Sequence, residues 1–215
     1  MKTKIQILKW MLALVLLLRA SGAWAQTTVG SDHACVGATR EYWADYPTPS
    51  PNSTYTWTVD GGEVIESGQG TYHITILWNT ANTYNITVTE TDKTTLCSAA
   101  PVLLQVIVDP LPTIAAAGSD QSVCGTLAAT LAGNTPTVGT GTWTFVSGPG
   151  TIAFSDANSA TSTATASVYG TYVIRWTIAN GTCTPSTDDV TVDYLQTPTI
   201  AAAGSDQSVC GTLAA

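Results

Sequence analysis

Apolar and polar side chains alternate with a period of two in segment after segment of this chain. Tyr55, Trp57 and Val59 are interleaved with Thr56 and Thr58. Ile74, Ile76 and Trp78 follow the same rule, as do Tyr84, Ile86 and Val88 around Asn85 and Thr87. Further along come Leu127, Ala129 and Leu131, then Trp143 and Phe145, then Tyr172, Ile174, Trp176 and Ile178, then Val190, Val192 and Tyr194. An extended backbone points successive side chains to opposite faces. Strict alternation therefore predicts half-buried antiparallel strands, with the apolar set turned inward. Gly61-Gly62, Gly68-Gln69-Gly70, Gly148-Pro149-Gly150 and Asn180-Gly181 separate these runs as turns.

The chain also repeats itself. PTIAAAGSDQSVCGTLAA stands at 112–129 and again, unchanged, at 198–215, an offset of 86 residues. A period of that size suits one small sandwich plus its linker, and the second copy reads as the start of a further repeat cut short at the end of the chain. Pro110-Leu111-Pro112 and Thr197-Pro198 form short, stiff junctions, because proline fixes its own φ and restricts its neighbour. The expected organisation is a leader at 1–25, a first β-sandwich at 26–109, a second at 110–196 and a truncated repeat at 197–215. About seven short strands in about 85 residues is the pattern of an immunoglobulin-like sandwich. The fold expected is all-β, tandem sandwiches after a signal peptide.

Composition and charge narrow the functional classes. Lys2, Lys4 and Lys9 precede the apolar run Trp10–Leu18, and Ala23-Trp24-Ala25 offers a signal-peptidase site before Gln26. The apolar run is too short to span about 30 Å of hydrocarbon, and Arg19 closes it. No Cys follows the cleavage point, so no lipid anchor is indicated. The expected location is secreted or cell-surface. Once the leader is removed, Arg40, Lys93 and Arg175 face all 15 acidic residues. So acidic a surface cannot neutralise a phosphate backbone, and an anionic bilayer repels it, which excludes nucleic acid and membrane insertion. Threonine, Val, Ile, Tyr and Trp favour strands over helices, and the aromatics argue against disorder.

The segments YTWTVDGG at 55–62, ESGQGTYHITILW at 66–78 and NTYNITVTETDKTTLC at 82–97 resemble the PKD-like domains of multi-repeat bacterial surface proteins. GTWTF at 141–145, GTYVIRWTIANGTC at 170–183 and DDVTVDY at 188–194 are similar to tandem Ig-like repeats of large secreted proteins from gliding-type Gram-negative bacteria. Two positions depart from the family pattern. Trp57-Thr58-Val59-Asp60-Gly61-Gly62 stands where the family has Trp-Asp-Phe-Gly-Asp-Gly, and Asn82 stands where glycine is usual. The resemblance implies a non-catalytic structural or adhesive stalk, a monomeric string of domains whose partner is an extracellular protein or glycan. The alternative is a set of accessory modules of a secreted carbohydrate-active or proteolytic enzyme, with its catalytic domain elsewhere.

Cysteines stand at 35, 97, 124, 183 and 210. Cys210 is the repeat copy of Cys124. Cys35 and Cys97 are 62 residues apart, and Cys124 and Cys183 are 59 apart. These spacings predict intradomain bridges Cys35–Cys97 and Cys124–Cys183, with Cys210 unpaired. One difficulty stays open: the first cysteine of each pair precedes a strand and the second follows one. In the simplest Ig topology such ends could lie far apart, while a disulfide needs Cα atoms within about 7 Å.

Catalytic chemistry finds little material. His33 and His73 are the only histidines, so the second domain cannot hold a Ser-His-Asp triad. His73 falls at an outward strand position, and His33 in a loop. Asp188 and Asp189 are neighbours in a strand and point to opposite faces, a poor glycosidase pair. Asp60, Glu63 and Glu66 could offer oxygens to calcium but lack regular ligand spacing. The Trp side chains read as core rather than as sugar-stacking platforms. Asn52, Asn85 and Asn180 begin glycosylation-type triplets, which carry little weight in a bacterial setting. No catalytic residue, cofactor or metal is therefore expected, and the chain is not read as an enzyme.

Overall fold

The computed structural model describes residues 27–44 and 49–206. The expected signal peptide and Cys210 lie outside them. The described residues divide into two compact units. One runs through Ala115 and adds Thr135–Thr142 and Thr177–Thr187; the other holds Ala116–Asn134, Trp143–Trp176 and the residues from Asp188 onward.

The first sandwich contains β1 (Thr27–Cys35), β2 (Thr39–Trp43), β3 (Ser53–Val59), β4 (Ile65–Ser67), β5 (His73–Leu77), β6 (Asn82–Asp92) and β7 (Val102–Asp109). One sheet has the order β1-β7-β6-β3 and the other β2-β5-β4. β6 pairs antiparallel with β3 and β7, whereas β1 runs parallel to β7, setting Cys35 opposite Asp109. The alternation read from the sequence becomes burial: Tyr55, Trp57, Ile74, Ile76, Trp78, Tyr84, Ile86 and Val88 are all buried. Two buried indoles keep their N–H groups satisfied, as burial requires. Trp57 Nε1 donates to Thr71 O at 2.8 Å, and Trp78 Nε1 donates to the Tyr42 hydroxyl at 3.1 Å. Burial and the nearby Asp32 carboxylate push the Tyr42 phenol well above its ordinary range.

β3 is an edge strand, and an open edge invites pairing with another chain. The Gly68-Gln69-Gly70 turn seals it. Gln69 accepts from Trp57 N at 3.0 Å and donates to Trp57 O at 2.7 Å, so one amide imitates a neighbouring strand. Tyr55 N donates to Gly70 O just beside it. Gly68 makes this approach possible, because it holds φ +87° and a Cβ there would collide with the His73 carbonyl.

The second sandwich contains β8 (Gln121–Cys124), β9 (Ala128–Thr130), β10 (Thr140–Ser147), β11 (Ile152–Phe154), β12 (Thr163–Ala166), β13 (Gly170–Ala179) and β14 (Ser186–Leu195). Its sheets are ordered β10-β13-β14-β8 and β9-β12-β11, with β8 parallel to β14 and Cys124 opposite Leu195. Strand for strand this is the topology of the first sandwich. The fold is thus all-β, built of immunoglobulin-like sandwiches. Trp143, Trp176, Tyr172, Tyr194, Ile174, Ile178, Val190 and Val192 are buried. One inward expectation is corrected. Phe145 is 42% exposed, and so are the remaining residues of β10 after Trp143. The facing sheet has strands of only three or four residues, which leave the far end of β10 uncovered.

Candidate functional site

The cysteines do not join as their spacing suggested. Cys35 is bonded to Cys183, with Cα atoms 5.6 Å apart, while Cys97 and Cys124 are free and exposed. The expected pairs Cys35–Cys97 and Cys124–Cys183 are therefore corrected, and the parallel first strand is the reason. Cys35 sits beside Asp109 at the end of β7, whereas Cys97 precedes the start of that strand. An eight-residue strand at about 3.3 Å per residue holds them roughly 23 Å apart. Likewise Cys124 sits beside Leu195 at the end of β14, and Cys183 lies before its start.

The Cys35–Cys183 bond closes a densely hydrogen-bonded junction, all of it inside the first compact unit. The chain leaves β7 at Asp109, whose carbonyl accepts from Val36 N at 3.0 Å and whose carboxylate lies 3.3 Å from His33 Nδ1. Asn180 Nδ2 donates to Pro110 O at 2.8 Å, and the Cys183 sulfur packs 3.7 Å from the same carbonyl. Thr113 N donates to Val138 O, and the Thr113 hydroxyl accepts from the backbone of Thr137 and Val138, both at 2.9 Å. Ala115 N donates to Ser186 Oγ at 2.9 Å. The Pro110–Ala115 segment is thereby fastened at Pro110, Thr113 and Ala115, which a flexible linker would not be. Gly181 fits beside the Asp109 carboxylate because it lacks a Cβ and holds φ +53°.

Residues 22–103 match the family profile of the PKD-like domain. No curated relative matches the sequence. Among solved structures the chain is similar to a PKD domain from the KIAA 1837 protein, at 25% identity and TM-score 0.36, over 41% of this chain and 91% of that one. It is also similar to titin domains I67–I69, at 13% identity and TM-score 0.39, over 79% of this chain and 63% of that one. The eight N-terminal Ig domains of Down syndrome cell adhesion molecule match at 14% identity and TM-score 0.48, over 75% of this chain. This chain spans only 23% of that last structure.

His73, Asp188, Asp189, Asp60 and Glu63 are each engaged with neighbouring residues of the frame, while Glu66 is exposed on β4. His73 stacks on Trp43, ring centroids 4.7 Å apart and planes 10° from parallel, with Glu41 3.9 Å away. Asp188 accepts from Ala117 N at 2.7 Å, while Asp189 turns the other way to a two-pronged pair with Arg175. The Arg175 guanidinium holds the Asp189 carboxyl below its ordinary range. Asp60 accepts from Asn85 N and Nδ2. Glu63 accepts from Asn79 N, Thr80 N and the Tyr84 hydroxyl. Burial pushes Glu63 up, but these donors outweigh it and hold the carboxyl below the usual range. Asp60 thus spends its oxygens on Asn85 of β6 and Glu63 on Asn79, Thr80 and Tyr84, and among the described residues no three His, Cys, Asp or Glu side chains converge on a metal-sized site. Asn52 and Asn180 likewise serve as donors to neighbouring turns.

Asp109, Thr113, Asn180 and Ser186 escaped sequence reading as junction residues. A signal for Thr113 was present, since it lies in the duplicated PTIAAAGSD segment, which has no apolar alternation to justify its repetition.

Proposed function

We propose that the chain is a non-catalytic, secreted or cell-surface structural protein, a stalk of Ig-like repeats in which modules 26–109 and 110–196 are successive units. The observation that carries this reading is the fastened junction. Cys35–Cys183 and the hydrogen bonds to Pro110, Thr113 and Ala115 suit a protein that must hold its length, not one whose domains close around a substrate. The disulfide supports an oxidising compartment, as does the leader. Asp60, Glu63, Asp188 and Asp189 are engaged in structural bonds, which favours support over catalysis. Adhesion would use loops, toward an extracellular protein or glycan. Protease shaving and impermeant biotinylation of intact cells test the location: labelling of the mature chain at the surface or its recovery from the medium is expected. Retention in the cytoplasm with the leader uncleaved contradicts it. Purified residues 26–196 should turn over no glycoside, ester or peptide, and a turnover lost on Asp188→Asn would overturn the non-catalytic reading.

A further inference from the structure

Cys124 occupies in the second sandwich the place that Cys35 occupies in the first. Each is the last residue of a strand that runs parallel to the final strand of its sheet. Each faces the last residue of that final strand, Asp109 or Leu195. The next backbone N–H repeats the same bond, Val36 to Asp109 O at 3.0 Å and Gly125 to Leu195 O at 2.8 Å. Cys97 and Cys183 also correspond, both lying in the connection between the sixth and seventh strands, β6–β7 and β13–β14. The bond that forms therefore joins the first-strand cysteine of one repeat to the turn cysteine of the next repeat in the chain. Cys124 has the first of these positions and no bond. The segment that leaves the final strand beside each cysteine is also the same: Pro112-Thr113-Ile114-Ala115, three residues after Asp109, recurs as Pro198-Thr199-Ile200-Ala201, three residues after Leu195.

We propose that Cys35–Cys183 is one link of a recurring staple, and that Cys124 is the half-link whose partner is the turn cysteine of the following repeat. That partner lies one repeat period of 86 residues beyond Cys183. Each link forms by oxidation of two thiols. Two protons and two electrons pass to a disulfide oxidant, oxidised glutathione in vitro, which leaves as two thiols, while one S–S bond joins the repeats. An array built this way carries one staple per junction in addition to the hydrogen bonds of Thr113 and its copies. This rests on the reading of the chain as a repeat array, and the test separates the two.

The chain is continued after Ala215 with a copy of residues 130–197, which completes the third repeat, and is refolded with reduced and oxidised glutathione. Free thiols are blocked with N-ethylmaleimide, and peptides are mapped without reduction. The expected result is a Cys124 peptide linked to the peptide carrying the added copy of Cys183, beside the Cys35–Cys183 link. Alkylation of Cys124 should fall about tenfold or more relative to the 215-residue chain, and should recover when the added copy of Cys183 is changed to Ser. Cys210→Ser should leave the new link intact. A Cys124 that stays alkylated in a folded third repeat, or that bonds to Cys97 or Cys210, overturns the staple while leaving the array reading in place. A third repeat that does not fold, judged by the tryptophan fluorescence of its two added indoles, overturns both.

Discussion

The two sandwiches share one strand order and solve the same two problems with different residues. In the first, β2 and β5 bring Tyr42, Ile74 and Ile76 to the core, and the Trp78 indole is tied to Tyr42. In the second, β9 and β12 bring Ala129, Ala164 and Ala166, and the space is taken from the other sheet. There Trp143 and Trp176 lie 4.7 Å apart, and Tyr194 reaches across to Ala164 O at 2.9 Å. The edges differ too. β3 is closed by the Gln69 side chain, whereas Trp143 N in β10 is closed by a backbone carbonyl, Ala157 O, at 2.7 Å. Topology thus leaves open which residues fill a layer and which atoms cover an edge, provided the volume is occupied and the polar groups are met.

The largest expected effect is on the paired indoles. Trp176→Ala should destabilise the second sandwich by about 3–5 kcal/mol, because the buried residues of β9 and β12 in the opposite sheet, Ala129, Ala164 and Ala166, are too short to refill the lost volume. Trp78→Phe, which keeps much of the volume but removes the indole donor from the Tyr42 hydroxyl, should cost the first sandwich less, about 1–3 kcal/mol. Denaturant unfolding followed by fluorescence checks both. Equal losses would break the contrast between the two cores.

Next in size is the edge. Gln69→Ala strips both bonds from the Trp57 backbone and should cost about 1–3 kcal/mol. It should also promote self-association, read by sedimentation. A Gln69→Ala chain as stable and as monodisperse as the parent would mean that the Gly70 contact alone seals β3.

Much of this architecture was legible beforehand, and the exceptions share a cause. Alternation located β3, β5, β6, β13 and β14 because each has one wet and one dry face. β1 was not evident, since TTVGSDHAC mixes Gly and polar residues without a clean period. Its parallel course beside β7 is a long-range choice that local pattern does not encode. That single choice decides which end of the sandwich receives Cys35, and hence the disulfide. Sequence spacing measured how far apart the cysteines are along the chain, while the bond depends on which pole each reaches. Phe145 failed for a related reason: alternation assigns a face but not whether another sheet covers it.

A smaller contrast should appear in acid. Glu63 and Asp92 in the first sandwich are both held below the ordinary carboxylate range, Asp92 chiefly by the backbone N–H groups of Thr95 and Thr94. A carboxyl whose pKa is lowered on folding adds stability above its unfolded value and loses it as pH falls through the folded value. The first sandwich should therefore weaken as pH drops below the usual carboxylate range, and Glu63→Gln should flatten that dependence. Unfolding midpoints measured from neutral pH downward check this, and an unchanged slope in Glu63→Gln would remove Glu63 from the account. Smallest of all is Arg175→Ala, since the pair with Asp189 is exposed on both sides. The loss should be slight and should vanish in high salt.

The central claim is that cysteine pairing follows the poles of the sandwiches and not the repeat spacing. Non-reducing peptide mapping of the mature chain after thiol blocking tests it directly. The account predicts one linked peptide pair, Cys35 with Cys183, with Cys97 and Cys124 both alkylated. A Cys35–Cys97 or Cys124–Cys183 link would contradict it.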